Sequence, residues 1–142
     1  MAAAETTETF PCTTDQLFKI ISDYEKYPEF LSEVKSCRVI ESKGDKKLVE
    51  FQVSVIKTFT YRLWITEKPG KGINWTLESG DIFKTSNGLW DLQDAGGKTK
   101  AKYSVDATFK VFVPGPIAKT LVSVNLPNMM KAYQGRVKKI YG

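Results

Sequence analysis

The 142-residue chain holds few side chains of the kinds that usually carry out catalysis. Histidine is absent, which removes the commonest general base and the commonest transition-metal ligand. Cys12 and Cys37 are isolated thiols without a histidine partner, so we expect both to stay reduced and to do no chemistry. No GxSxG, P-loop, GxGxxG or CxxC motif is present. We therefore expect no metal and no cofactor, and acid–base chemistry would need Asp, Glu, Tyr or Lys side chains inside a cavity.

Strand-like alternation dominates the middle of the chain and decides which side chains could reach such a cavity. From Val34 to Phe112, apolar and polar residues alternate with a period of two, as in strands that bury one face. Turn-forming sequences at 42–45, 68–72, 79–81 and 94–97 divide this region into strands of about ten residues. The pattern predicts an antiparallel meander of about six strands.

The two faces of the predicted sheet differ in chemistry. Glu50, Glu78 and Asp106 fall on the polar face, so few acids point inward. The apolar face is rich in aromatic residues, and it would suit an apolar ligand or, equally, a solid core of large side chains. Trp90, after Gly88, is interpreted as a core residue re-aimed by a bulge. The predicted cavity residues of the sheet are Phe51, Val53, Val55, Phe59, Tyr61, Leu63, Trp75, Phe83, Tyr103, Val105 and Phe109.

Short elements precede the meander. A first strand covers Glu5 to Phe10, and Thr13 or Thr14 caps a helix that follows. A second short helix covers Tyr24 to Leu31 and is interrupted by Pro28.

One long helix is predicted at the end of the chain, from about Pro114 to Tyr141, and it must cover the apolar face of the sheet. Its main apolar face holds Ala118, Val122, Leu126, Met129, Tyr133, Val137 and Ile140. A second apolar set, Ile117, Leu121 and Val124, occurs only before Pro127, where we expect a kink. We expect Val122 and Tyr133 to anchor the helix, and Leu121 and Val124 to line the mouth of the cavity.

Composition sets limits on the class of protein. The length predicts one domain over residues 1–142, without a membrane span or an export signal, in a reducing cytoplasm. Residues 1–34 carry seven acids and two lysines, and the remainder carries 19 basic and nine acidic residues. A basic body favours anionic membranes or RNA, although lysines that only solvate strand faces would give the same balance.

Several stretches resemble one branch of the START-like (SRPBCC) superfamily. The stretch from Ser22 to Leu31, with its Tyr-Pro-Glu-Phe-Leu run, is the most specific, and weaker matches are Thr14 to Phe18, Gly80 to Phe83, Gly88 to Trp90 and Pro127 to Gly142. The branch includes coenzyme Q-binding proteins, the bacterial ribosome-association toxin, and polyketide cyclase/dehydrase and lipid transport proteins. This chain has Ser32-Glu33-Val34 where relatives often have Pro-Trp-Cys.

The resemblance implies an α+β helix-grip fold, like that of START and Bet v 1 proteins. In this fold a curved antiparallel sheet of six to seven strands wraps around the long C-terminal helix, with two short helices after the first strand. It also implies non-enzymatic binding or transport of a quinone or other lipid between sheet and helix. Tyr27, Pro28 and Phe30 would then form the cavity entrance, or simply pin the short helix over the rim of the sheet.

The alternatives differ in the partner that they imply. The protein could be an interaction module for the ribosome or for respiratory complexes, or a cyclase-like enzyme. The expected partners are a hydrophobic small molecule, an anionic inner-membrane surface and, for the interaction module, the ribosome, but not DNA.

Overall fold

The computed structural model describes residues 2–54, 57–119 and 126–142. Its strands in these ranges are β1 (Ala2–Phe10), β2 (Val34–Lys43), β3 (Lys46–Ser54), β4 (Thr58–Lys68), β5 (Gly72–Gly80), β6 (Phe83–Asp94) and β7 (Thr99–Phe109). Its helices are α1 (Thr14–Ile21), a 3₁₀ helix (Tyr24–Glu29), α2 (Gly115–Lys119) and α3 (Leu126–Tyr141).

The strands form a single antiparallel sheet in the order β1-β7-β6-β5-β4-β3-β2. Consecutive strands from β2 to β7 are neighbours, and β1 closes the order beside β7, which confirms the predicted meander and the α+β helix-grip fold. Among the described strand pairs the register shifts at four places, one of them between Phe83 and Thr85. The bulge expected near Gly88 is wrong, because Gly88 and Trp90 pair in continuous register with both neighbouring strands.

The elements after β1 are held by their caps and by aromatic side chains. The Thr13 hydroxyl accepts a hydrogen bond from the Gln16 amide at 3.1 Å, and the Gln16 side chain accepts one from the Thr13 amide at 3.0 Å. This capping box makes Thr13 the cap of α1, which is one of the two residues that the sequence predicts. In the 3₁₀ helix, Tyr24 and Tyr27 are buried, and the Tyr24 hydroxyl donates to the Glu67 carboxylate at 2.8 Å.

The last helix packs on the concave face of the sheet through a narrower stripe than its periodicity predicts. Met130, Tyr133 and Val137 of α3 are buried, whereas Ile140 is 48% exposed. The prediction that Ile140 lies on the buried face is wrong because the whole last turn, 138–141, is exposed. Residues 120–125 lie outside the described residues, so the kink at Pro127 and the roles of Leu121, Val122 and Val124 remain predictions.

Apolar side chains form two clusters between the layers. The larger one joins α1, the 3₁₀ helix, the sheet and α3. A second cluster lies at the sheet end where β4 begins and β7 ends, and its members are Phe59, Ile82, Phe83 and Ala107, with Phe109 and Val113 packed against them. Within the described ranges, no helix is long and apolar enough to cross a membrane.

Candidate ligand cavity

A cavity of about 170 Å³ lies between the sheet and α3. Eight residues of the predicted site are in its wall: Tyr27, Phe51, Tyr61, Leu63, Trp75, Phe83, Tyr103 and Val105. These side chains come from the 3₁₀ helix and five strands, and the period-two alternation aims them at one interior. The geometry that the sequence predicts for the sheet face is therefore present, whereas ligand binding by these residues remains a prediction.

Other predicted site residues lie elsewhere. Val53 is half-buried against the main core, and Phe59 and Phe109 belong to the second cluster rather than to the cavity wall. The reason is position along the strand, because the parity is right but these residues lie beyond the cavity at the end of the sheet. Val55, Leu121 and Val124 lie outside the described residues.

The proposed entrance residues are mostly packed against α3. Tyr27 is buried and its hydroxyl donates to the Ile21 carbonyl, while its ring meets Tyr133 edge-on at 6.2 Å between centroids. Phe30 meets Tyr133 at 5.2 Å and lies under the Arg136 guanidinium at 5.1 Å. Pro28 is exposed, and neither it nor Phe30 is among the described wall residues. The packing favours the reading in which this segment pins the short helix in place.

Sequence reasoning missed part of the wall. The additional residues are Leu31, Val34, Ile65, Ile73, Ser86, Trp90, Ala107, Met129 and Tyr133. Ile65 and Ile73 share the parity of the predicted residues, so the same pattern could have included them. Met129 and Tyr133 lie one turn apart on the predicted inner face of α3. Trp90 was predicted to be a core residue and not a cavity residue. Ser86 was missed because the bulge was expected near Gly88 and lies instead between Phe83 and Thr85.

Gly88 makes room for one wall of the cavity. A Cβ atom at this position would lie 2.1 Å from Cζ2 of Trp75, 2.4 Å from its Cε2 and 2.7 Å from the Ser104 carbonyl oxygen. The Trp75 indole therefore lies so close to the β6 backbone that a residue with a Cβ atom would clash with it. The indole also contacts Tyr103, with 5.7 Å between ring centroids.

Aromatic rings tie the sheet to α3 around the cavity. Tyr133 contacts Trp90 edge-on at 5.1 Å, and Trp90 contacts Tyr103 in the same way at 5.1 Å. Phe51 stacks on Tyr61 at 5.2 Å. Edge-to-face and offset pairs of this kind add roughly 0.5–1.5 kcal/mol each beyond the area they bury. These contacts hold the sheet side of the wall to α3.

The polar side-chain groups of the wall are tyrosine and serine hydroxyls and the indole N–H groups of Trp75 and Trp90. Burial raises the pKa of Tyr61, Tyr103 and Tyr133 above the usual range, so these phenols are neutral hydrogen-bond donors at pH 7. The Ser86 hydroxyl is also in the wall. Among the described wall residues there is no Asp, Glu, Lys or Arg. The arrangement suits an apolar molecule that carries an oxygen acceptor.

Nearby titratable groups do not form a reactive pair. Cys12 and Cys37 are free and buried, and burial raises the pKa of Cys37 to about 12. Glu33 is half-buried, and burial raises its pKa as well. The described part of the chain contains no group of three or more His, Cys, Asp or Glu side chains that could hold a metal ion.

Comparison with known proteins places this architecture in a family. Residues 11–133 match the family model described as polyketide cyclase / dehydrase and lipid transport. The ribosome association toxin RatA of Pseudomonas aeruginosa is 30% identical over 139 residues, which are 93% of this chain and 92% of that protein.

Solved structures show the same fold at lower identity. A START superfamily protein from Mycobacterium smegmatis superposes with a TM-score of 0.86 at 23% identity, over 97% of this chain and 98% of the other. The Zhui aromatase/cyclase from Streptomyces sp. R1128 superposes with a TM-score of 0.83 at 16% identity, over 97% and 94%. At these identities the likeness concerns the fold alone.

Proposed function

This chain belongs to the polyketide cyclase / dehydrase and lipid transport family, and we propose that it is a non-enzymatic carrier of a hydrophobic molecule. The observation that carries the proposal is the aromatic cavity between the sheet and α3. Because such a ligand is insoluble in water, burying it would supply most of the binding free energy, at roughly 25 cal/mol per Å² of apolar surface.

The volume of the cavity limits the size of the ligand that it can hold. Its volume of about 170 Å³ is close to that of engineered apolar cavities of about 150 Å³ that hold one benzene molecule. One substituted ring fits this space, and a long chain does not. We infer that a ring-shaped head group binds inside and that any attached isoprenoid or acyl tail extends out of the cavity.

The hydroxyls of the wall favour a ligand that carries hydrogen-bond acceptors. Tyr61, Tyr103 and Ser86 are neutral donors in an apolar wall, and a buried donor is stabilised by an acceptor on the ligand. A quinone offers two carbonyl acceptors on a ring of the right size. The same neutral phenols are poor general bases at pH 7, which supports a carrier over a cyclase. Loading would take place in the cytoplasm, at the surface of an anionic inner membrane.

Intrinsic fluorescence tests the proposal, because Trp75 and Trp90 lie in the cavity wall. A benzoquinone with a short alkyl chain should quench tryptophan emission saturably, with one molecule bound per chain. Trp75→Phe and Trp90→Phe should each remove a large part of the saturable quenching.

Trp64 provides the matched control, since its indole nitrogen donates to Glu78 at 2.9 Å on the outer face of the sheet. Trp64→Phe should leave the saturable quenching intact. Quenching that rises linearly with quinone, or that depends equally on all three tryptophans, would show collisional contact and contradict the carrier function.

A second function is favoured by a separate observation. The relative at 30% identity is named a ribosome association toxin, and this chain has a net charge of +5. We infer that a ribosome-binding role is the alternative. Co-sedimentation with ribosomes at 50 mM salt that is lost at 200 mM would support it, because contacts with RNA phosphates weaken steeply with salt. Failure to co-sediment at low salt would contradict it.

A further inference from the structure

The most exposed large apolar side chains of the described ranges lie together in the segment after β7. Phe112 is 80% exposed and Val111 is 60% exposed. Neither belongs to an apolar cluster, although the next residue, Val113, packs against the second cluster. Two adjacent exposed apolar residues at the end of a buried strand carry a cost in solubility unless they have a partner.

Three lysines lie at the same end of the sheet as this pair. The Lys110 amide donates to the Ile82 carbonyl at 2.9 Å, which places Lys110 beside the β5–β6 turn. Lys84 follows Phe83, whose ring stacks on Phe109 at 5.5 Å. The Lys57 ammonium lies 5.6 Å from the centre of the Phe59 ring in the same cluster. All three lysines are exposed, and with Val111 and Phe112 they form what we call the tip surface.

The acids near this end do not cancel its charge. Asp81 is exposed, and its carboxylate accepts the Thr60 amide at 2.9 Å. Glu33 is half-buried, and its carbonyl accepts the Ser54 amide at 2.8 Å. Three exposed ammonium groups therefore lie at this end of the sheet. The exposed carboxylates closest along the chain are those of Asp81 and of Glu78, which accepts a hydrogen bond from the Trp64 indole.

The tip surface is connected to the cavity. Phe83 and Ala107 belong to the second cluster and also to the cavity wall. The same small group of side chains thus supports the exposed tip on one side and encloses the cavity on the other. A surface that touched a lipid layer here would be separated from the cavity by a single layer of side chains.

We propose that the tip surface docks on anionic phospholipid bilayers, with Val111 and Phe112 inserted among the acyl chains and Lys57, Lys84 and Lys110 at the head groups. This inference rests on the proposed carrier function and names the partner from which the carrier takes its ligand. A membrane interface has an apolar acyl layer, which suits Val111 and Phe112, and a layer of phosphates, which suits the lysines. The methylene stem of a lysine can lie along apolar surface while its ammonium group stays at the phosphates. A ribosomal RNA base can stack on the exposed ring of Phe112, but RNA offers no apolar layer that would cover Val111 as well.

Vesicle flotation tests the proposal with the full chain. The probe is vesicles of phosphatidylglycerol and phosphatidylcholine, with pure phosphatidylcholine vesicles for comparison. Val111→Ser with Phe112→Ser should weaken binding to anionic vesicles by about tenfold or more. Replacing Lys57, Lys84 and Lys110 with Gln should weaken binding to anionic vesicles by roughly fivefold for each lysine. This loss should be smaller at high salt, where the charges are screened. Thermal melting should be unchanged, since all five side chains are exposed.

Matched controls lie at the other end of β7, roughly 35 Å away along the strand. Ile140 is 48% exposed on the last turn of α3, whose residue Lys138 lines a groove together with Pro11, and Lys98 and Lys100 are exposed where β7 begins. Two control variants, Ile140→Ser and the double substitution Lys98→Gln with Lys100→Gln, should bind vesicles within about twofold of the wild type. They remove the same kinds of side chain at positions outside the tip surface.

The outcomes separate this inference from the carrier function. Equal loss in tip and control variants, equal binding to neutral vesicles, or loss of ribosome co-sedimentation in place of vesicle binding would overturn the docking inference. Quinone quenching without vesicles is the second readout. A protein that binds quinone but not anionic vesicles would overturn docking alone, whereas one that binds vesicles without binding quinone would overturn the carrier function alone.

Discussion

Replacing Gly88 with alanine should destabilise the protein and reduce the volume of the cavity. The new methyl group would lie 2.1 Å from Cζ2 of Trp75 and 2.7 Å from the Ser104 carbonyl oxygen. The carbonyl belongs to the neighbouring strand of the ladder and cannot easily move, so the Trp75 indole must shift by about 1 Å or more toward the cavity. The shift would occupy part of the 170 Å³ and disturb the contact between Trp75 and Tyr103.

The magnitude follows from two opposing effects. Overpacking of a close-packed site costs about 1–3 kcal/mol, and three contacts this short place Gly88→Ala near the upper value. Loss of the glycine's freedom in the unfolded chain returns roughly 0.5–1 kcal/mol. The expected net loss is about 2 kcal/mol in the free energy of unfolding, or about 4–8 °C in melting temperature for a chain of this size. Urea denaturation and quinone quenching should both be measured, and quinone affinity should fall.

Two further variants make the reasoning refutable. Gly135 is exposed on α3 with no atom within 4 Å of an added Cβ, so Gly135→Ala should stabilise the protein by up to about 1 kcal/mol. In a Trp75→Leu background, Gly88→Ala should cost clearly less than in the wild type, because the clashing ring atoms are gone and only the 2.7 Å contact with the Ser104 carbonyl oxygen remains. If Gly88→Ala changes neither stability nor quinone affinity, or costs as much without Trp75, the close packing of the indole on Gly88 is refuted.

Other predictions concern the helix, the buried titratable groups and the first cap. Tyr133→Ala should cost about 3–5 kcal/mol by urea denaturation, because the buried ring holds α3 to the sheet; a cost below about 1 kcal/mol would contradict this. Buried thiols and phenols have raised pKa values, with Cys37 at about 12, so the native state keeps protons that the unfolded state loses. The free energy of unfolding should therefore be steady near pH 7 and fall as pH rises above about 8.5, and in Cys12→Ser with Cys37→Ser the fall should begin nearer pH 10; a flat profile to pH 10.5 would be inconsistent with buried neutral groups. Thr13→Ala should cost about 1 kcal/mol, with Thr7→Ala on exposed β1 as a control that changes little.

The sheet could be predicted from sequence because strand parity and turn chemistry are local signals. The alternation in β3 to β7 places Phe51, Tyr61, Leu63 and Trp75 inward, and a one-residue error in register would have put them outside. The helix-grip arrangement followed because only the C-terminal segment is long enough to cover that face.

Strand parity could not predict which inward residues lie at the level of the cavity and which lie beyond it. Phe59 and Tyr61 have the same parity on β4, yet Phe59 packs in the second cluster and Tyr61 lines the cavity. The position of the bulge at Phe83 rather than near Gly88 depends on pairing with β7, which is a long-range contact. The exposure of Val111 and Phe112 could not be predicted either, because Val111 continues the inward parity of β7 although it lies beyond the end of the strand.

Native mass spectrometry of the protein, purified from cells without detergent, tests the central claim most directly. The wild-type chain should carry about one hydrophobic molecule that lipid extraction releases. Val105→Trp places a large ring in the cavity wall and should remove most of this adduct, whereas Ile40→Trp adds the same ring at an exposed site and should retain it. A wild-type chain without any adduct, or an adduct held equally by all three proteins, would contradict a ligand in the cavity between the sheet and α3.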